Sequence, residues 1–255
     1  MLLRNKSYVK KMAEDQIRVD GRKLDEMREI KIEKGVISSA EGSAKVTIGN
    51  TVVLAGIKIG IGEPFPDTPD EGILMVGAEL SPVASPEFES GPPGPDAVEL
   101  ARIIDRGIRE SHCIELDKLV IKEGEQVYMI NIDIHVLNHD GNLIDAAGLA
   151  AIAALIDAKL PKVEDGRIIL DEKIENVPVV DKPIPITTVK ISNTLMLDTT
   201  ADEWDSLDAR LTITTNNNGY ICAVQKGGEG YFTLDEIKKA VDFTIKYGKE
   251  LRKLL

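Results

Sequence analysis

The chain has 255 residues, and 43% of them are hydrophobic, which is enough for one large or two ordinary domains. Its 43 aspartates and glutamates outnumber its 31 lysines and arginines, so the formal net charge is −12. This balance excludes a free-standing nucleic-acid-binding domain with a generally basic surface. Any contact with nucleic acid must be local or shared with a basic partner.

The cysteine content and the hydropathy pattern restrict the cellular context. The two cysteines, Cys113 and Cys222, lack the spacing of a metal site, and they argue against a disulfide framework. The first residues form no apolar stretch of signal-peptide length, and no apolar run approaches a membrane span. We therefore expect a cytoplasmic protein with no membrane partner and no metal.

The first predicted element is a short helix at residues 7–16, with apolar residues on one side and lysines on the other. The segment Arg18-Val-Asp-Gly-Arg22 follows, and its Asp-Gly pair predicts a turn. On sequence alone its charged residues are expected at the surface. A hairpin comes next, with strands at residues 44–48 and 52–59 around Gly49-Asn50.

A predicted strand at residues 73–80 lies between two proline-rich loops. The second loop, residues 82–95, contains five prolines. Long irregular loops in compact domains are often functional or interfacial. This loop leads directly into a predicted helix at residues 98–112, for which Asp96 is the expected N-cap and Glu99 the capping-box partner.

The predicted helix at residues 98–112 has two distinct faces. Apolar residues recur at three- and four-residue spacing and predict one buried stripe. Arginines at i, i+4 and i+7 form a second stripe that points away from the first. The apolar stripe is Leu100, Ile103, Ile104 and Ile108, and the arginine row is Arg102, Arg106 and Arg109.

Two interpretations of the arginine row are open. Acidic residues of the same helix lie within reach, so the row is either a solvated face of weak ion pairs or an anion-binding surface. The anion would be a phosphate backbone or an acidic partner protein. The acidic residues concerned are Glu99, Asp105 and Glu110.

The next segments predict the layers of the first domain. A short strand at residues 119–121 precedes a longer one at 127–137, in which apolar and polar residues alternate. The helix predicted at residues 143–159 is rich in alanine and almost uncharged, which indicates deep burial between layers. Pro161 is expected to end it. The predicted domains are therefore residues 1–163 and 164–255.

The second half repeats this order of strands followed by a helix, so the predicted fold class is α+β with two layered domains. Its last helix, residues 234–254, begins with a capping box of Thr233 and Glu236. The strands are predicted at residues 168–170, 186–191, 195–197, 210–215 and 220–225. The buried stripe of the last helix is predicted as Leu234, Ile237, Val241, Ile245 and Leu251.

The sequence contains several weak candidates for chemistry. No nucleophile elbow, Walker A loop or GxGxxG motif is present. The histidines are more typical of structural hydrogen-bond partners than of catalysts or ligands, and a metal set of Asp133, His135, His139 and Asp140 lacks a defined geometry. An acidic segment fits a general acid, a metal pair or an ordinary turn. It comprises Asp198, Asp202, Glu203, Asp205 and Asp208.

Four motifs resemble, in the same order, those of the RNase PH family, and the match covers nearly the whole chain. The helix pattern ELARxxDRxxRES, after Gly91-Pro92-Pro93, resembles in particular the non-catalytic RNase PH-like subunits of the archaeal exosome. The four motifs are Arg18-Val-Asp-Gly-Arg22 with Arg28, Gly42-Ser-Ala-Lys-Val-Thr-Ile-Gly49, the helix Glu99-Leu-Ala-Arg to Arg109, and Leu197-Asp-Thr-Thr.

The resemblance implies an RNase PH-like fold of two βα domains, a ribosomal protein S5 domain 2-like half and a smaller C-terminal half. Active members of this family cleave RNA from its 3′ end with inorganic phosphate and release nucleoside diphosphates. Active exosome subunits carry an Arg-Arg pair just before the helix, a Gly-Ser/Thr-Arg loop for phosphate and an acidic pair. The shared physical principle is the neutralisation of anionic charge around an in-line displacement.

This sequence departs from the active pattern at each of these places. Pro95 and Asp96 stand in register with the Arg-Arg pair, and Asn142-Leu143-Ile144 replaces the phosphate loop. Glu203 is retained, but Trp204 takes the second acidic position, unless Asp205 substitutes for it. These losses predict a chain with no catalytic residue and no cofactor of its own, since inorganic phosphate would bind the catalytic partner.

The resemblance also favours the functional interpretation of the arginine row. In the family this helix of the silent subunit faces the catalytic subunit near the RNA path, so Arg102, Arg106 and Arg109 are expected to bind single-stranded RNA. Arg18 and Arg22 are expected to order the N-terminal turn. The expected partners are the catalytic subunit, in a hexameric ring of three heterodimers, and RNA-binding cap proteins.

Two rival hypotheses remain. The chain is alternatively an independent phosphate-dependent 3′ exoribonuclease that uses Asp205 or Asp208, although no arginine accompanies Leu143-Ile144 to hold phosphate. The third hypothesis is a protein-only scaffold without RNA contact. It predicts an arginine row that is fully paired with Glu99, Asp105 and Glu110.

Overall fold

The computed structural model describes residues 6–164 and 166–255. They form two halves, each with a sheet and helices, and this confirms the predicted α+β fold class. The first helix, α1 (Lys6–Glu14), precedes a mixed sheet in the strand order β1-β2-β3-β6-β4, with β5 paired to β6. Its strands are β1 (Ile30–Lys34), β2 (Gly42–Ile48), β3 (Thr51–Gly62), β4 (Ile73–Leu80), β5 (Val120–Lys122) and β6 (Gln126–Asn138).

Two helices of the first half cover this sheet. They are α2 (Pro95–Glu110) and α3 (Leu143–Asp157), and a 3-10 turn at Leu116–Leu119 lies between them in the chain. The predicted alternation of β6 is confirmed, because Ile130, Ile132 and Ile134 are buried while Asp133 is exposed. The apolar side of the sheet packs against α3.

The second half contains a separate sheet in the order β10-β9-β11-β12. A two-stranded hairpin of β7 (Lys159–Glu164) and β8 (Arg167–Asn176) joins the two halves. The remaining elements are β9 (Ile184–Ile191), β10 (Thr194–Leu197), α4 (Ala201–Trp204), β11 (Ala209–Thr215), β12 (Ile221–Gly227) and α5 (Leu234–Arg252).

The alanine-rich helix α3 is the centre of the core. It contacts β2 and β3 on one side and β9 of the second sheet on the other, and every residue from Ile144 to Leu155 is buried. A Cβ atom at Gly148 would overlap the ring of Pro185, so glycine permits the close approach of α3 to β9. The predicted burial of this helix between layers is confirmed, and it is the feature that unites the two halves.

The predicted start of α2 and the predicted end of α3 are wrong. Helix α2 begins at Pro95 with Gly94 as the N-cap, so Asp96 lies in the first turn and caps nothing. Proline at the first helical position needs no N–H partner, which explains the earlier start. Helix α3 ends at Asp157, before Pro161, because the chain has already turned into β7. The predicted domain boundary between residues 163 and 164 falls within the hairpin and stays a prediction.

The predicted buried stripe of α5 is confirmed at Leu251 and wrong at Leu234, Ile237 and Ile245. The capping box of Thr233 and Glu236 is confirmed, but Leu234 is 69% exposed and Ile245 is 46% exposed. Ala240 and Gly248 on the buried face let the helix approach β9 and β11 closely, so the fit to these strands, and not hydrophobicity alone, decides which face is buried. The buried residues of α5 are Ala240, Thr244, Tyr247, Gly248 and Leu251.

Candidate functional site

The arginine row lies on the outer face of α2, and the predicted apolar stripe holds this helix in place. Leu100, Ile103, Ile104 and Ile108 are buried in the main hydrophobic core. The helix contacts β4 of the first sheet on one side and β12 of the second on the other. Its outer face is therefore bordered by the edges of both sheets, with the arginines between them.

The three arginines have different environments. Arg109 donates to Asp105 Oδ1 at 2.7 Å and to the carbonyl oxygen of Leu74 at 3.1 Å, so it is held by its own helix and by β4. Arg102 and Arg106 are exposed and have no hydrogen bond or ion pair with any other residue among 6–164 and 166–255. Two of the three guanidinium groups in the row are therefore available to an external anion.

Of the three acids expected to neutralise the row, Glu99 and Asp105 are already paired, and Glu110 forms no ion pair among residues 6–164 and 166–255. Glu99 accepts an ion pair from Arg210 at 2.5 Å, and the Arg210 guanidinium lies 5.4 Å from the centroid of the Trp204 ring. Asp105 is bound by Arg109. The fully paired row that the scaffold hypothesis predicts is therefore wrong for Arg102 and Arg106 among the described residues, whereas Arg109 forms the expected pair with Asp105.

The entry to α2 is acidic. The loop before the helix and the edge of β4 enclose an open groove of about 790 Å³. No lysine or arginine lines it among the described residues, so nothing replaces the positive charge that a phosphate would require there. The ionisable residues that line it are Glu79, Glu87, Glu89, Asp96, Asp133 and His135.

The N-terminal arginines are structural. Arg18 is only 2% exposed, and its guanidinium binds both carboxylate oxygens of Glu203, at 2.9 Å and 2.5 Å. It also donates to the carbonyl oxygens of Leu197 and Asp198, each at 2.9 Å. The expectation that this segment is solvated is wrong for Arg18, whereas an ordering role agrees with the geometry. Glu203, the acid retained from the active pattern, is consequently occupied.

Asp198 is the centre of a second buried network. Its oxygens accept bonds from the side chains of Arg22, Arg28 and Asn142 and from the backbone N–H of Arg28, at distances from 2.7 to 2.9 Å. Burial would raise the pKa of the Asp198 carboxyl, but the hydrogen bonds and charge of Arg28 outweigh it and hold that pKa below its ordinary value. Asp198 is therefore a fixed anion that ties residues 22 and 28 to the second half.

The segment Asn142-Leu143-Ile144, which the resemblance is expected to place at the family's phosphate loop, forms part of the core and of the Asp198 network. Asn142 is the N-cap of α3 with φ of 50°, and its amide donates to Asp198 Oδ1 at 2.9 Å. Ile144 is buried and Leu143 packs against the same core. Neither side chain can donate to a phosphate oxygen, so the structure agrees with the expected loss of this loop.

The remaining acids of the segment from residue 198 to 208 are placed by local structure. Thr200 and Glu203 form a capping box that starts α4, a helix absent from the sequence prediction. Asp208 accepts an ion pair from Lys10 at 2.6 Å and a hydrogen bond from the Ser192 N–H at 2.5 Å. The acidic segment is thus a structural turn around a short helix, and Asp208 is committed to α1.

The histidines show no arrangement that suggests metal binding. His135 lies 3.4 Å from Glu79 across the β4–β6 pair, and His139 stacks on Phe88 with ring centroids 5.4 Å apart. Within residues 6–164 and 166–255 no three histidine, cysteine or acidic side chains form a group that could hold a metal. Over the same residues no helix is long and apolar enough to cross a membrane.

One buried group was missed by the sequence analysis. Asp145 is fully buried in the first turn of α3, and neither carboxylate oxygen has a hydrogen-bond partner in the part of the chain that the structure describes. Burial, reinforced by the negative charge of Asp198, raises the pKa of Asp145 to about 7, although Thr187 and Asn142 nearby oppose the shift. The available signal was an acid in the first turn of a helix whose following residues, up to Ile156, are all apolar or glycine.

Comparisons with known proteins agree with this architecture. Residues 26–161 match the family model described as 3′ exoribonuclease family, domain 1, and residues 181–247 match domain 2 of the same family. The chain is 53% identical over 242 residues to the exosome complex component Rrp42 of Thermococcus gammatolerans, which covers 93% of this chain and 89% of that one. It is 50% identical over 232 residues to the exosome complex component Rrp42 of Methanothermobacter thermautotrophicus, and this match covers 90% of this chain and 86% of that one.

Solved structures give the same result. A chain of the Archaeoglobus fulgidus exosome with RNA bound to the active site is 44% identical and superposes with a TM-score of 0.91 over 97% of this chain and 96% of that one. Rice Rrp46, at 17% identity and a TM-score of 0.70, covering 92% of this chain and 97% of that one, shares the fold alone. From the two matched domains and the shared architecture, the chain belongs to the RNase PH, or 3′ exoribonuclease, family.

Proposed function

We propose that the chain is a non-catalytic core subunit of an archaeal RNA exosome that holds RNA for degradation by a catalytic partner in the 3′-to-5′ direction. The observation that carries this proposal is the unpaired, exposed pair Arg102 and Arg106 on a chain of net charge −12. Where most of a surface repels phosphate, two free guanidinium groups on one helix face define a local site for a phosphate backbone.

The lack of independent catalysis follows from where the chain's own ionisable groups are placed. The groove at the start of α2 is acidic, Leu143 and Ile144 offer no donor, and Glu203 is bound to Arg18. A phosphorolytic centre needs cations for phosphate and an available acid, and each loss lowers the rate by orders of magnitude. Inorganic phosphate therefore binds the catalytic partner, and this subunit needs no cofactor.

The assembly follows from the same separation between a subunit that holds RNA and a partner that carries out catalysis. The subunit pairs with a catalytic RNase PH-like chain, and three such heterodimers close a hexameric ring, as repeated heterologous contacts do when the rotation fits. RNA-binding cap proteins occupy one face, and single-stranded RNA reaches Arg102 and Arg106 inside the ring. Arg109 makes a smaller contribution because Asp105 already neutralises it. The free cysteines are consistent with a reducing cytoplasm.

The proposal is tested by phosphorolysis of a labelled oligoribonucleotide, first with this chain alone and then with its catalytic partner. Nucleoside diphosphate is expected only from the mixture. Arg102→Glu combined with Arg106→Glu should leave assembly intact and weaken RNA binding by the ring by at least about tenfold, since each phosphate contact contributes on the order of 1 kcal/mol.

A matched control separates a local site from general charge. Lys118→Glu with Lys122→Glu makes the same change in net charge at exposed positions that form only surface pairs. These substitutions should leave RNA binding almost unchanged. Equal losses from both variants would contradict the assignment of the site, and diphosphate release by the chain alone would contradict the silent role.

A further inference from the structure

Two acids of α2 precede an arginine of the row at helical spacing. Glu99 lies three residues before Arg102, and Asp105 lies four residues before Arg109. An acid three or four residues before a cation on one helix readily pairs with it. Asp105 and Arg109 form this pair, at 2.7 Å. Glu99 and Arg102 do not, so something other than spacing decides the partner of Glu99.

Glu99 pairs instead with the second half of the molecule. Its carboxylate lies 2.5 Å from the guanidinium of Arg210, which is on β11. Arg210 is only 8% exposed, whereas Arg102 is exposed to solvent. A buried cation without its anion is costly, and an exposed pair on a helix surface contributes little. Glu99 therefore binds Arg210, and the charge of Arg102 is left without a neutralising acid.

The guanidinium of Arg210 is held from two further sides. It lies 5.4 Å from the centroid of the Trp204 ring, within the range of a cation–π contact. Arg210 also stands opposite Gly227 in the β11–β12 pair, where a Cβ atom would overlap the guanidinium. Glycine at this position therefore leaves the space that the guanidinium occupies. Arg210 consequently presents a fixed positive charge to α2.

We propose that Arg210 is a positioning residue for RNA binding: by holding Glu99 it keeps Arg102 available to the phosphate backbone. This inference rests on the proposed function and deepens it, because it names a residue outside the row that sets the strength of the arginine site. Arg210 touches no RNA in this role and acts through Glu99. Without it, Glu99 pairs with Arg102 at the i, i+3 spacing.

A double-mutant cycle on the assembled ring tests the proposal. Arg210→Gln should weaken binding of a labelled single-stranded oligoribonucleotide about three- to fivefold, because Glu99 then neutralises Arg102. Adding Glu99→Gln should restore binding to near the parent value. In a chain that retains Arg210, Glu99→Gln should change binding less than about twofold, since Glu99 is already neutralised there.

The coupling between the two changes decides the result. If only the total charge matters, Glu99→Gln strengthens RNA binding by the same factor with and without Arg210. Equal factors would therefore overturn the proposal. A larger factor in the Arg210→Gln chain supports it, because only there does Glu99 reach Arg102.

Gly227→Ala tests the same contact without any change of charge. The added Cβ atom meets only the guanidinium of Arg210, which is the far end of a flexible side chain and moves at little cost to the fold. Displacing it from Glu99 should weaken RNA binding by at least about twofold. Unchanged RNA binding by both Gly227→Ala and Arg210→Gln would overturn the proposal.

Salt dependence gives a readout that a merely structural role would not move. Arg210→Gln should reduce the slope of log K against log salt by about 0.7, as the loss of one phosphate contact does, and adding Glu99→Gln should restore it. Arg102→Ala added to Arg210→Gln should lower the slope no further, because Arg102 is already neutralised. A further decrease in that chain would contradict the role of Arg210.

Two variants serve as controls. Arg210→Lys keeps a cation beside Glu99 and should bind RNA within about twofold of the parent. Lys190→Gln removes a buried positive charge from β9 of the same sheet. Lys190 matches Arg210 in its surroundings, because it pairs with Glu236 of α5 at 2.8 Å and lies 5.0 Å from the centroid of the Tyr231 ring. Its replacement should leave RNA binding unchanged, and a loss equal to that of Arg210→Gln would overturn the proposal.

The outcomes separate this inference from the proposed function. If Arg102→Glu with Arg106→Glu leaves RNA binding unchanged, the arginine site itself is wrong. If that variant loses RNA while the cycle is additive, the site stands and only the role of Arg210 is wrong. Thermal unfolding and ring assembly of each variant verify that the chains fold.

Discussion

The two groups of arginines in this protein are made of the same residue type and have opposite environments. Arg18, in the N-terminal group, is buried and saturated by Glu203 and backbone carbonyl oxygens. Arg102 and Arg106, on α2, are exposed and unpaired among the described residues. A guanidinium that is fully bonded within its own chain stabilises the fold, whereas one that lacks a partner is available to an external anion. The comparison teaches that burial and pairing, not residue type, separate structural cations from binding cations.

The largest expected effect concerns the buried pair. Arg18→Ala should destabilise the fold by about 3–5 kcal/mol, because it leaves the Glu203 carboxylate buried without its cation. Replacing both partners, as in Arg18→Met with Glu203→Leu, should cost much less than the sum of the two single changes. Urea unfolding of the parent, of Arg18→Met, of Glu203→Leu and of the double variant measures this coupling. Additive losses would contradict a structural pair and would weaken the contrast with α2.

The second prediction concerns the buried carboxyl of Asp145. Its pKa of about 7 in the folded state lies above the ordinary value of 3.8, so the folded state retains a proton that the unfolded state loses. Stability should therefore fall as pH rises from about 4 to about 7 and then level off. Asp145→Asn removes this dependence, and its stability relative to the parent should grow by a few kcal/mol over that range.

Urea unfolding at several pH values measures this trend. Asp235→Asn is a suitable control, because its side chain is 92% exposed and its stability difference from the parent should stay flat with pH. If the stability difference between the parent and Asp145→Asn does not change between pH 4 and 7, Asp145 is ionised in the folded protein, and hence solvated or paired.

A smaller effect is expected at the paired member of the arginine row. Arg109→Ala removes the i, i+4 pair with Asp105 and the bond to the Leu74 carbonyl oxygen, and should cost about 0.5–1 kcal/mol in free energy of unfolding. High salt should reduce the loss, since part of it is electrostatic. Thermal unfolding at two salt concentrations measures it, and a loss above about 3 kcal/mol would place Arg109 with the N-terminal group.

The smallest effect on stability is expected for the unpaired arginines. Arg102→Ala and Arg106→Ala should each change the free energy of unfolding by less than about 0.5 kcal/mol. In the assembled ring, each should also reduce the slope of log K against log salt for single-stranded RNA by about 0.7. A stability loss without a change of slope would reverse the comparison and assign these arginines to the scaffold.

Local patterns in the sequence predict much of this fold. The hairpin around Gly49-Asn50, the strand Ile73–Leu80 and the capping box of Thr233 and Glu236 all depend on neighbouring residues, and all three are confirmed. The face of α5 was not predictable from hydrophobicity, because close packing on β9 and β11 selects Ala240 and Gly248. That choice depends on the partner surface, which no local window contains.

The candidate site shows the same limit. The spacing of the arginine row on α2 was visible in the sequence, but whether each arginine is paired depends on distant residues. Glu99 is occupied by Arg210, and the partner of Arg18 lies 185 residues away in the chain. Only the folded structure shows that Arg18 is bound while Arg102 is available.

The Asp198 network also has a consequence for synthesis. Arg18, Arg22 and Arg28 emerge early from the ribosome, yet their anions, Asp198 and Glu203, are made about 180 residues later. At 5–20 residues per second this delay is roughly 10–40 s. During that interval the nascent N-terminal segment exposes three cations in the vicinity of ribosomal RNA. Final closure of the N-terminal turn is therefore a late event of translation, although its residues are among the first to appear.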